Sequence, residues 1–145
     1  MTIRIRLLAC TLLLIASSAT AEPIPSGAIQ VIDGDTISTR GQTVRLVGFD
    51  TPEPENLARC EAERSLAARA TAKLRQLIAG GELDLTLVPC SCPTGTEGTQ
   101  ACNYGRACGV LKAAGKDVAE LLIADRLAKP FHCRRDRCPR REPWC

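Results

Sequence analysis

Apolar positions along the chain recur in two rhythms. Over residues 28–49 the period is two. Residues 28–32 form one apolar run and residues 36–39 alternate. Residues 43–49 place Val44 and Leu46 on one side, with Arg45, Val47 and Phe49 on the other. Asp33-Gly34 and Arg40-Gly41 read as turns between these runs. Three short strands in a meander are predicted. Gly48 lets the third strand bend before Asp50, so the alternation is not carried past it.

The period then changes. Leu66, Ala70, Leu74, Leu77 and Ile78 recur at helical spacing, and Gly80-Gly81 stops the pattern, which predicts a helix over 61–79. Glu61 and Glu63 fall in its first turn, where the helix dipole favours them. Residues 82–88 set Leu83, Leu85 and Leu87 against Glu82, Asp84 and Thr86, a fourth strand with one buried face. Residues 89–103 form a long polar loop with three cysteines, mobile unless stapled. A fifth strand is predicted over 107–112. A second helix follows over 117–125, burying Val118, Leu121 and Leu122. Residues 22–26 read as a proline-rich lead-in. From Lys129 onward the chain is basic, with prolines and cysteines, and Trp144 is expected to tuck back as an anchor. The pattern predicts one domain, a small antiparallel sheet or barrel with helices.

Composition changes this reading at the start of the chain. Arg4 and Arg6 precede an apolar run over 7–16, too short to span a bilayer, and Ala19-Thr20-Ala21 fits a small-residue cleavage site. Residues 1–21 are expected to be a signal peptide and residues 22–145 the mature domain. An uncleaved anchor is the alternative. A lipid-attachment box at Cys10 is a poorer one, since no apolar run precedes it. Cleavage takes the chain from 145 to 124 residues, the net charge from +3 to +1 and the cysteines from 9 to 8. After cleavage no membrane association is expected. The protein is expected to be exported, periplasmic or extracellular, and monomeric.

An even set of cysteines behind an export signal predicts disulfides. Cys60, Cys90, Cys92, Cys102, Cys108, Cys133, Cys138 and Cys145 allow about 105 pairings, and the sequence does not choose among them. A zinc site from Cys90, Cys92, His132 and Cys133 competes, but its spacing matches no standard zinc motif. A net charge near zero does not announce a polyanion-binding protein. Arg134, Arg135, Arg137, Arg140 and Arg141 are a local cluster, read as a solvated surface or a nucleic-acid track.

The chemistry gathers at strand ends. Asp33, Asp35, Asp50 and Glu53, with Arg45, lie within 21 positions of one another. Hard carboxylate oxygens suit Ca²⁺ or Mg²⁺, and guanidinium groups suit phosphate. Asp35 and Asp50, beside Thr51, are candidates to hold one cation. Arg45 and Arg106 are candidates to clamp a phosphate, and Glu53 to polarise a water. The competing reading makes these turn residues, loop starts and structural ion pairs.

Three blocks sharpen the choice: Ile32-Asp33-Gly34-Asp35-Thr36, then Val44-Arg45-Leu46 with Asp50-Thr51-Pro52-Glu53, and Tyr104-Gly105-Arg106. In this order they resemble the signature blocks of the staphylococcal (thermo)nuclease family. The resemblance runs from about Ala28 to Lys129. It implies an OB-fold, a five-stranded antiparallel barrel flanked by two to three helices, here stapled by disulfides. It implies a Ca²⁺-dependent phosphodiesterase acting on DNA and RNA and leaving 3′-phosphate ends. By position, Asp35, Asp50 and the Thr51 carbonyl would bind Ca²⁺. Glu53 would be the general base, Arg45 and Arg106 would hold the phosphate, and Tyr104 would contact substrate. Asn103 stands where the family has a lysine, and its base-stacking tyrosine has no clear match, with Phe131 or His132 nearby. Two other functions compete: a non-catalytic OB module that binds strands or a protein, and a secreted cysteine-rich interaction domain.

Overall fold

A computed structural model describes residues 21–145. The expected leader lies outside these residues except for Ala21. The strands, in chain order, are β1 (Glu22–Ile24), β2 (Ile29–Val31), β3 (Thr36–Thr39), β4 (Gln42–Leu46) and β5 (Gly48–Asp50). Helix α1 (Glu61–Ala79) follows, then β6 (Leu83–Val88) and β7 (Ala107–Ala113). The chain continues as β8 (Lys116–Asp117), α2 (Val118–Ala124) and β9 (Lys129–Phe131).

The fold is mostly β, with two α-helices among the described residues and a main sheet curled into a half-barrel. The sheet runs β1-β6-β7-β4-β3-β2, with β8 on β7, while β5 and β9 pair separately. The expected meander is present as β2, β3 and β4 in consecutive antiparallel register. β4 and β7 pair in parallel, so the expected all-antiparallel pairing does not hold there.

Two strands depart from the predicted pattern for local reasons. The single strand expected over 43–49 is two strands, because Gly48 takes φ +96°, a value that a side chain disfavours. Beyond this bend Phe49 turns into the core at 1 % exposure, although alternation put it beside Arg45. Leu83 and Leu85 are buried as expected, but Leu87 is half exposed. Its partner across the ladder is Gly109, which has no side chain to cover it. The lead-in is not free either: its residues 22–24 pair with β6.

The core joins Ile37, Val44 and Leu46 from the sheet to Leu74 of α1 and Leu122 of α2. In α1 the buried set is Glu63, Ala67, Ala70, Leu74 and Ile78, with Leu66 and Leu77 packed at its margin. Cys60 caps this helix by accepting the Glu63 N–H. All eight described cysteines pair, as Cys60–Cys145, Cys90–Cys108, Cys92–Cys102 and Cys133–Cys138. Two of the bonds staple the polar 89–103 loop. Four disulfides fit an oxidising compartment. Among the described residues no helix is long and apolar enough to cross a membrane.

Candidate active site

The β2–β3 turn is built on Asp33, whose Oδ1 accepts the Asp35 N–H at 3.0 Å. Asp35 is thereby set at the mouth of β3, and its carbonyl receives the Leu46 N–H of β4 at 2.8 Å. The segment after β5 approaches from the other side. Asp35 Oδ2 accepts the Thr51 N–H at 3.1 Å and the Thr51 hydroxyl at 2.9 Å. Gly34 makes this approach possible. A Cβ there would lie 2.8 Å from Thr51 Oγ1 and 2.9 Å from Thr51 Cβ. Gly34→Ala is therefore expected to push Thr51 off Asp35 and destabilise the protein by about 1–3 kcal/mol. Denaturant titration with and without Ca²⁺ checks this.

Arg45 joins the two aspartates. One of its Nη atoms pairs with Asp35 Oδ1, and the other lies 3.3 Å from Asp50 Oδ1 and 3.2 Å from the Phe49 carbonyl oxygen. Asp35 and Asp50 are 3 % and 4 % exposed, so their charges are almost wholly withdrawn from water. Burial pushes the Asp35 carboxyl up to about 6. The charge of Arg45 and the bonds from Thr51 oppose this, while Asp33 adds to it. Folded Asp35 thus holds its proton more tightly than the unfolded chain does. Its contribution to stability falls as pH rises from about 4 through about 6. Asp35→Asn is expected to flatten that slope in chelator, read from denaturant midpoints at pH 4.5 and 7.

Arg106 enters from the start of β7. Its Nε donates to the Asn103 carbonyl at 3.1 Å and Nη2 to Asn103 Oδ1 at 2.8 Å. Its Nη1 lies 3.4 Å from Thr36 Oγ1, which itself donates to Asp35 Oδ1 at 3.2 Å. Burial and the neighbouring Arg45 charge lower the Arg106 pKa. Tyr104 is 75 % exposed, and the Arg106 guanidinium lies 5.6 Å from its ring centre.

Asp35, Arg45, Thr51, Glu53, Tyr104 and Arg106 all line one cleft of about 650 Å³, and Asp50 joins them through Arg45. Every residue singled out in the sequence for catalysis, metal or substrate is therefore at this site. Three others have roles here that the sequence reading did not assign. Glu63 is 3 % exposed and does more than favour a helix dipole. Its carboxylate accepts the Glu53 N–H at 3.3 Å and the Arg59 N–H at 2.7 Å, tying the loop that carries Glu53 to α1. Asn103 supplies two of the three oxygens that orient Arg106. Arg141 pairs with Glu53 through Nη1 and lies 3.3 Å from Asp50 through Nε. Burial works to lower the Arg141 pKa, but Asp50 and Glu53 outweigh it and the pKa is raised. All five arginines of the cluster are exposed, but among them Arg141 is the one that pairs with described carboxylates. Proximity of Cys145 to Arg141 was the only sequence cue, and it needs the Cys60 pairing to be read.

No cluster of three or more His, Cys, Asp or Glu converges on one point among the described residues. Two buried carboxylates beside Thr51 nonetheless suit a hard divalent cation that keeps much of its water. A soft cation finds no free thiolate, since the described cysteines are all paired. No family model matches the chain, and no curated protein matches it.

Proposed function

We propose that the protein is an exported Ca²⁺-dependent nuclease that hydrolyses phosphodiester bonds in DNA and RNA and leaves 3′-phosphate ends. The half-barrel is read as an OB-fold, with the resemblance of the three sequence blocks as support. The observation that carries the function is the meeting of Asp35, Asp50, Glu53, Arg45 and Arg106 around one open cleft. Five charged side chains drawn from three separate stretches of sequence are costly to gather unless a charged ligand is to be handled there.

Asp35, Asp50 and the Thr51 carbonyl would hold the cation. When bound, it supplies positive charge against the negative charge that develops on the phosphate. Arg45, paired with Asp35 and Asp50, would turn a guanidinium N–H towards a non-bridging oxygen. Arg106, held by Asn103 and Thr36, takes the phosphate from the opposite side. Glu53 accepts a proton from the attacking water. The new P–O bond forms in line with the bond to the 5′-oxygen, which breaks. The 5′-oxygen takes its proton from solvent, and Glu53 returns its own to solvent. Exposed Tyr104 borders the path of the strand.

Mass spectrometry of oligonucleotide fragments tests the bond choice. Fragments with 3′-phosphate and 5′-hydroxyl ends are expected, and 5′-phosphate ends would reverse the assignment of leaving group. Calorimetric titration with Ca²⁺ tests the donor set. Binding that disappears in Asp50→Asn is expected, and undiminished binding would remove Asp50 from it.

A further inference from the structure

Residues 141–144 line the cleft as part of a C-terminal strap held at both ends. One end is anchored by β9 on β5 and by Cys133–Cys138, and the other by Cys60–Cys145 at the head of α1. Between these anchors Lys129 Nζ donates to the Pro143 carbonyl at 2.8 Å and lies 4.4 Å from the centre of the Trp144 ring. Arg141, Pro143 and Trp144 form one wall of the cleft. The strap therefore carries a guanidinium to Glu53 from 88 positions away in sequence.

We infer that Arg141 is a third phosphate-binding guanidinium of this site, and that the Cys60–Cys145 bond holds it there. The inference rests on the nuclease reading and extends it to how substrate is gripped. Three carboxylates, those of Asp35, Asp50 and Glu53, face three guanidinium groups, those of Arg45, Arg106 and Arg141. Asp33, Glu63 and Glu142 also line the cleft, with Arg59, so acidic groups outnumber basic ones even with Arg141, and every guanidinium at the rim counts towards admitting a phosphodiester. The three arginines are not equally committed. The Arg45 side chain is 12 % exposed and pairs with both aspartates, whereas that of Arg141 is 46 % exposed and reaches only Asp50 of the two. Once a divalent cation satisfies Asp50, Arg141 keeps only its half-exposed pair with Glu53. A half-exposed ion pair is weak and gives way to a phosphate that offers two oxygens to a planar fork. A long basic side chain on a free tail would pay for this placement in lost freedom, and the disulfide removes most of that freedom before substrate arrives.

The probe is a dodecathymidylate in which a methylene replaces each 5′-bridging oxygen, so that it keeps its charge but cannot be cleaved there. Binding to the oxidised protein is measured by fluorescence anisotropy in Ca²⁺ over a range of salt. Arg141→Gln is expected to weaken binding roughly ten- to a hundredfold, the loss of one charge-assisted contact. The slope of log affinity against log salt should fall by about 0.7. On cleavable DNA the same change should raise KM more than it lowers kcat, and Arg141→Lys should recover part of the affinity. Cys60→Ser combined with Cys145→Ser should weaken probe binding similarly, and adding Arg141→Gln to it should weaken binding little further. Circular dichroism and thermal unfolding establish that each variant is folded.

Unchanged probe affinity in folded Arg141→Gln would overturn the inference. So would faster cleavage with tighter Ca²⁺ binding, which would make Arg141 a plug on Glu53. Full additivity of the arginine and cysteine changes would overturn the role given to the disulfide. A wild-type protein that binds the probe but does not cleave DNA overturns the nuclease reading alone. One that neither binds nor cleaves overturns both.

Discussion

Glu53→Gln is expected to lower kcat for DNA and RNA cleavage by roughly 10²–10⁴-fold, the range of a positioned general base. The amide has the shape of the carboxylate but cannot accept the water's proton at neutral pH. Its effect on the fold should be small. The Glu53 side chain is 35 % exposed, and its pair with Arg141 is half in water, where such pairs add little stability. The backbone N–H that anchors Glu53 to Glu63 is untouched by the substitution. Single-turnover kinetics at saturating substrate, with a thermal melt alongside, separate these effects. A rate within about threefold of wild type would remove Glu53 from the chemistry.

Arg106→Gln is expected to lower kcat/KM by roughly 10²–10³-fold, the cost of losing one preorganised donor to a developing negative charge. Three oxygens fix the guanidinium: the Asn103 carbonyl, Asn103 Oδ1 and Thr36 Oγ1. Lysine is a point charge with no planar fork and cannot satisfy that set, so Arg106→Lys should rescue little. Asn103→Ala should reproduce part of the defect, because it removes one of the two Asn103 oxygens that aim Arg106. Steady-state kinetics on a defined oligonucleotide compare the three variants. Activity retained in Arg106→Gln would move the phosphate clamp elsewhere.

Much of the fold was legible because burial writes a period into sequence. Helix α1 was read to its residue limits, since Ala70, Leu74 and Ile78 face the core every four residues. β3 and β4 were legible as alternation between turn residues. Pairing in space was not. β9 contains Lys129, Pro130 and Phe131, too short and too polar to announce a strand, and exists because β5 offers it a partner. β1 was hidden for the same reason, in a proline-bearing segment that pairs with β6. Gly34 was read as a turn residue, but its larger role is the room it leaves for Thr51, which depends on a segment about 17 positions away.

The site followed the same division. Asp35, Asp50, Glu53, Arg45, Thr51 and Arg106 were singled out because carboxylates, hydroxyls and arginines at strand ends suit metal and phosphate chemistry, and Tyr104 only through the resemblance of the three blocks. Glu63 was hidden because an acidic residue in a first helical turn has an ordinary explanation. Arg141 was hidden among four other arginines, and nothing local separates it from Arg140. The closure of Cys60 on Cys145, across 85 positions, and the contacts of Lys129 hold the segment that brings it to Glu53. Disulfide pairing is a property of the folded chain, and the residues it positions are legible only after folding.

Cation-dependent hydrolysis is proposed at the cleft between Asp35, Glu53 and Arg106. The most direct measurement is cleavage of plasmid DNA and of RNA by the oxidised protein, first in Ca²⁺ and then with excess chelator. Cleavage in Ca²⁺ that stops in chelator and returns when Ca²⁺ is restored is the predicted result. No cleavage in either condition, or the same cleavage in both, would contradict it.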